Sequence, residues 1–201
     1  VQNVDRLFFS HGGIMRGEFD ELYNALFSNA ELYISVVKAL AQHHDGMTRT
    51  EISKVIGANG GTLTRVLTNL ERCDFISRSQ NFGCKTKDTI YRLMDFYTLF
   101  YYKFIAQDTS GDEQWWSHNF ESRLVSTWQG LTFEIVCLMH TDCIKKALGI
   151  SGMATEVSSW RKVADDKQRG GQIDLVIKRA DRIVHLCEMK FSKSEYRITD
   201  A

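Results

Sequence analysis

Apolar residues recur along the chain at two periods, and the changes between them mark out its elements. Phe19, Leu22, Tyr23, Leu26 and Phe27 follow the i, i+3, i+4, i+7, i+8 spacing of one helix face, which predicts helix within residues 18–44. Ser28 with Glu31 three residues later has the spacing of a capping box and predicts a second helix through Val36, Val37 and Leu40. Thr48 with Glu51 repeats the signal ahead of Ile52, Val55 and Ile56. Residues 57–61, three of them glycine, interrupt that helix, and Thr62 opens another whose inner face is Leu63, Val66, Leu67 and Leu70. Short helix, glycine-bearing turn and second helix form a helix-turn-helix pattern. Residues 75–78 and 89–93 then read as strands, joined by a loop that holds Lys85 and Lys87. The whole predicts a winged helix over residues 30–95.

The helical period returns at Phe96, Leu99, Phe100 and Phe104, with Asp95 as the cap. A polar stretch containing Gly111, residues 107–114, is the best linker candidate. Residues 121–147 read as mostly helical and 156–158 as a first strand. The chain then closes on two apolar runs, 172–177 and 186–190, around a turn near Ala180 and Asp181. The expected organisation is a helical lead-in over 1–29, the winged helix over 30–95, an aromatic helix and linker over 96–120, and a second domain over 121–201.

Acidic residues inside that closing hairpin change the picture. Glu188 and Lys190 are two apart and share a strand face, and the turn brings Asp174 close to Glu188. Two carboxylates and a lysine on a sheet are the donor set for a hard divalent cation, magnesium or manganese, which neutralises charge and activates water in phosphodiester cleavage. Asp174 and Glu188 supply ligands, the Met189 backbone carbonyl a third, and Lys190 the cation beside the phosphate. The bland alternative is an exposed hairpin with one charged face, against which Val176, Val184 and Leu186 speak. Glu134 is a second anomaly, set among Leu131, Cys137 and Leu138 on a helix. It serves either as a third acid for the site or as a helix-edge group reaching solvent or pairing with Arg161.

In the winged helix, Arg65, Asn69 and Arg72 lie at i, i+4 and i+7 opposite the apolar stripe. Arg and Asn are the side chains that read guanine and adenine edges. Composition tempers this reading. Lys plus Arg equals Asp plus Glu at 25 each, and residues 45–95 hold eight basic against six acidic residues. A strong duplex binder is usually more basic, so DNA binding and protein interaction both fit the module. Trp115 and Trp116 suit a core better than base stacking. Five cysteines without CxxC spacing read as reduced thiols in a cytoplasmic protein, with zinc the alternative. The longest apolar run, residues 97–106, is too short to span a bilayer. Val1 and the abrupt ends suggest a piece excised from a longer polypeptide.

Taken in order, Glu134, Asp174 and the Glu188-x-Lys190 pair resemble the PD-(D/E)XK, or restriction-endonuclease-like, nuclease superfamily. The segments 60–65, 95–101, 128–134, 172–175 and 187–191 resemble the C-terminal half of bacterial and archaeal AAA-type ATPases, where a P-loop domain precedes a winged helix and a nuclease-like domain. The resemblance covers nearly the whole chain. It implies an α+β chain: an N-terminal helical winged-helix domain followed by a partial restriction-endonuclease-like α/β domain. It further implies magnesium on Asp174 and Glu188, catalytic help from Lys190 and support from Glu134. It also implies DNA as partner, and an ATPase domain in cis that alone would hold ATP. No G-x-x-x-x-G-K-[ST] occurs here, and Ile173 replaces the motif's proline. The competing readings are a non-catalytic binding module and a winged-helix transcription regulator.

Overall fold

The computed structural model describes residues 1–83, 89–162 and 169–196. It is α+β, and the chain falls into two compact units, Val1–Ser79 with Lys85–Ser122 and Gln80–Cys84 with Arg123–Ala201.

The first unit is mainly helical. A short helix α1 (Gln2–Val4) runs on as a π-helical stretch, Asp5–Phe9, and is followed by α2 (Ile14–Leu26) and α3 (Ala30–Ala41). Strand β1 (Met47–Thr48) leads into α4 (Arg49–Ile56), and α5 (Gly60–Arg72) follows a tight turn. Strands β2 (Ile76–Gln80) and β3 (Thr89–Leu93) complete a three-stranded sheet ordered β1-β3-β2, with Met47 opposite Tyr91. This is the winged-helix arrangement. Helix α6 (Phe96–Phe100), its π-helical continuation Tyr101–Ile105, and α7 (Trp115–Asn119) close the unit.

Local chemistry explains the boundaries. The Thr48 hydroxyl accepts the Glu51 N–H while the Glu51 carboxylate accepts the Thr48 N–H at 2.6 Å, so the capping box forms as expected. Gly57 ends α4 in the left-handed conformation with φ 68°. The Asp95 carboxylate accepts the Thr98 N–H at 2.7 Å and starts α6. The box expected at Ser28 does not form: α3 takes Asn29 as its N-cap, without a side-chain bond. Ser28 therefore stands outside the cap position. Helix α5 likewise begins at Gly60, two residues ahead of Thr62, with Asn59 as its N-cap.

The core of the unit is aliphatic beneath the helix-turn-helix and aromatic elsewhere. Val36, Val37, Leu40, Ile52, Leu63, Val66, Leu67 and Leu70 are buried together with Met47 and Ile90. Phe19 stacks on Tyr101 and Phe9 on Trp115, while Trp116 packs against Phe100 and Phe104. Trp115 and Trp116 thus take ring partners within this unit. Buried Asp5 accepts the backbone N–H of Trp116 at 2.8 Å and fixes the N-terminal segment to α7. The polar stretch 107–114 also lies in this unit, folded by Asp108 and Asp112 accepting the N–H groups of Ser110 and Gln114.

The second unit contains α8 (Arg123–Met139), α9 (Thr141–Ala147) and an antiparallel sheet of β4 (Thr155–Lys162), β5 (Gly171–Arg179) and β6 (Val184–Cys187), ordered β4-β5-β6. Leu175 and Ile177 are buried with Ile150, and Leu138, Ile144, Cys187 and Met189 pack against them. Segment Gln80–Cys84 joins this unit: Phe82 donates its N–H to the Ser159 carbonyl, and the Asn81 side chain bonds both the N–H and the carbonyl of Arg161. Among the described residues no helix is long and apolar enough to cross a membrane.

Gly46 is the tightest point of the winged helix. Its φ is +76°, and an added Cβ would lie 2.6 Å from both Ile90 Cγ2 and the Tyr91 carbonyl oxygen. Gly46→Ala is expected to lower unfolding free energy in denaturant titrations by about 1–3 kcal/mol. Thr48→Ala, which removes the cap, is expected to cost about 1 kcal/mol.

Candidate functional site

Two candidate sites follow from the sequence, one in each unit. On α5, burial of Leu63, Val66, Leu67 and Leu70 turns the opposite side outward. Arg65 and Arg72 are exposed on it, and Thr68, absent from the sequence-derived stripe, is exposed beside them. Asn69 is half-buried, and its amide nitrogen donates to the Tyr33 hydroxyl at 2.8 Å. The structure therefore gives Asn69 a partner on α3 and leaves the two arginines on the surface. Lys85 and Lys87 lie outside the described residues.

Arg49 fixes the turn before that helix. Its guanidinium donates to the Gly60 carbonyl at 2.7 Å and to the Thr64 hydroxyl at 3.0 Å, tying the start of α4 to the first turn of α5. Sequence reasoning did not single it out, although a lone arginine between a cap and a glycine-rich turn was a usable signal. Arg78 on β2 pairs with Glu71 at 2.8 Å.

In the second unit, the β5–β6 ladder ends with Leu175 opposite Cys187, so Asp174 and Glu188 follow directly on it from the two strands. Asp174 is buried at 5% exposure. Its carboxylate accepts the Met189 N–H at 2.9 Å and the Gln172 amide at 3.3 Å. Met189 thus presents its N–H to this carboxylate. Glu188 and Lys190 form an ion pair with each other, each about half exposed. The Glu188 carboxylate, as hydrogen-bond partner, holds the Lys190 ammonium above its ordinary pKa, and the charge of Asp174 adds to the effect. Glu134, on α8, is linked to the group through Cys137. Burial raises the Cys137 thiol pKa, and the charges of Glu134 and Asp174 raise it further. Cys137 lies one helical turn after Glu134, a spacing that the sequence carries.

The two acids sit in unlike surroundings. Among the described residues, no three His, Cys, Asp or Glu side chains group as a ligand set. Both Asp174 oxygens accept protein donors, and Glu188 is paired with Lys190.

The MarR family model matches residues 35–82, which span α3 from its second turn through β2 to the residues after it. No curated protein matches the chain. A solved structure of a MepR mutant from S. aureus is 20% identical, covering 69% of this chain and 85% of that one, with a TM-score of 0.29. A score that low carries no argument about fold or function. The winged-helix assignment rests on the family match and on the elements themselves, and the resemblance to an ATPase C-terminal region and a nuclease rests on motif residues alone.

The two acids are expected to differ in a stability measurement. Asp174→Ala leaves the Met189 N–H without its acceptor and should cost about 1–3 kcal/mol. Glu188→Ala removes one side of an exposed pair and should change stability by less than about 1 kcal/mol. Equal, small effects in chemical denaturation would mean that Asp174 is not a structural acceptor.

Proposed function

We propose that the chain is a DNA-binding module in which the winged helix contacts duplex DNA through α5 and the second unit is a non-catalytic scaffold. The observation that carries this reading is the MarR match over residues 35–82, on a helix-turn-helix whose second helix exposes Arg65, Thr68 and Arg72. A helix with one buried and one polar face is the element that enters a major groove, which admits a single helix. Arg65 and Arg72 are long enough to reach guanine edges or phosphates, and Thr68 is suited to a base edge or a thymine methyl.

The nuclease reading is the weaker one here. The hairpin supports a likeness in layout, with Glu188 paired to Lys190 beside the Met189 N–H that Asp174 accepts, but no family match accompanies it. Under the binding reading, magnesium enters neither ligation nor chemistry.

Among the described residues, few exposed cations serve the proposed interface. Lys54, Arg65 and Arg72 are exposed, whereas Arg49 and Arg78 are engaged within the fold. Counterion release then predicts a shallow salt dependence, with log Kobs against log salt falling with a slope of about −2 to −3. Fluorescence anisotropy with labelled duplex should show that slope, and Arg72→Ala should reduce it by about 1 if Arg72 contacts phosphate. Arg65→Ala should lose about 1–3 kcal/mol of discrimination between preferred and scrambled sequence. Asn69→Ala should leave affinity unchanged at matched stability. A chain that binds no duplex at low salt, or arginine variants that bind as wild type, would overturn the proposal.

A further inference from the structure

The β5–β6 turn holds a feature that neither the acidic cluster nor the helix-turn-helix uses. The hairpin closes with the Arg179 N–H donating to the Ile183 carbonyl at 2.8 Å and the Arg182 N–H to the Arg179 carbonyl at 3.0 Å. Three loop residues stand between those ends, and the third, Arg182, has φ +72°. In such hairpins this left-handed position favours glycine, because a side chain there crowds its own backbone. An arginine at this position carries strain that the turn itself does not require.

A cleft of about 530 Å³ opens beside this turn, on the end of the sheet where Ala180 donates its N–H to the Ala154 carbonyl. Lys178, Arg179 and Arg182 line it, against one carboxylate, Glu156. Lys178 is held by Glu156 at 2.9 Å and Arg179 is paired with Asp181, so both heads are positioned rather than free to wander. The Arg179 side chain is 19% exposed, and its Nε–H is buried without an acceptor among the described residues. Arg182 forms no ion pair among the described residues, although Asp181 is its neighbour.

We propose that this cleft is an anion site for a phosphate group, with Arg182 kept at a strained backbone position because its guanidinium is needed there. Two arginines and a lysine around one opening suit the multiple oxygens of phosphate, which accept fork-like donation. The phosphate belongs either to a free small molecule or to a nucleic-acid backbone. The proposal stands independently of the helix-turn-helix reading, since α5 contributes nothing to it.

The test is calorimetric titration of the whole chain with sodium pyrophosphate at constant ionic strength, alongside thermal unfolding. Wild type should bind saturably with a rise in Tm. Arg182→Gly should unfold at the same or a higher temperature without ligand, because the strain is removed, yet bind pyrophosphate at least about tenfold more weakly. Lys145→Ala, on α9 and outside the lining, should bind as wild type. Absence of saturable binding by wild type overturns the site. So does an Arg182→Gly variant that keeps its affinity, or one that is less stable than wild type without ligand, since Arg182 would then serve the fold. Competition assigns the source: a short duplex that displaces pyrophosphate and is weakened by Arg182→Gly points to nucleic-acid phosphate, and lack of displacement to a small molecule. Loss of duplex binding in Arg65→Ala with pyrophosphate binding intact would separate this site from the one on α5.

Discussion

The apolar stripe of α5 is the constraint on which the rest of the winged helix depends. Leu63, Val66, Leu67 and Leu70 are all buried, and each such side chain contributes roughly 1.5–3 kcal/mol by leaving water. No exposed contact on the helix rivals that sum, so the stripe alone sets the helix's rotation. Once it is set, Arg65, Thr68 and Arg72 have nowhere to point but outward, and Asn69, at the edge of the stripe, falls within reach of Tyr33. The binding surface is what remains after the core has been satisfied. Arg49 and the Thr48–Glu51 box then fix the other end of the turn, so that the rotation is matched by a defined approach from α4.

The same ordering of forces decides how the acidic hairpin reads. A carboxylate as buried as Asp174 has to be compensated, and it draws its donors from its own chain: Met189 and Gln172. Glu188 and Lys190 are half exposed, and water already compensates them, so their pairing contributes little energy but does neutralise both. The buried acid is thus solvated by neutral donors and the exposed one is paired with a lysine.

Much of this architecture was legible in the sequence because the decisive interactions are local. The Thr48–Glu51 box, the Asp95 cap, the period-3.6 stripe of α5 and the hairpin turn after Arg179 all depend on residues within a few positions of one another. What failed to read was decided at long range. Asn69 looks like a base reader until a phenol 36 residues away claims its amide. Ser28 and Glu31 have capping-box spacing, yet α3 begins at Asn29 and leaves the serine outside. Residues 80–83 read as part of a wing loop, but their backbone and Asn81 pair with β4, a partner some 80 positions along the chain. The spacing of Asp174, Glu188 and Lys190 was readable, but not which donors each carboxylate would take. Spacing specifies which groups meet, and burial specifies what they do on meeting.

Charge ties the two units into one argument. With equal numbers of acidic and basic residues, the chain has no global field to draw a polyanion in, so any such affinity has to come from cations that the fold leaves uncompensated. The structure distributes its arginines unequally in this respect. Arg49 is committed to a carbonyl and a hydroxyl, Arg78 to Glu71, and Arg179 to Asp181, each holding a turn or a strand in place. Arg65, Arg72 and Arg182 form no ion pair among the described residues, and two of them lie opposite a buried stripe while the third occupies a conformation that arginine resists. A side chain kept in strain where glycine would relax it is not explained by stability. The chain's chemistry is therefore to be sought first at the arginines the fold does not use.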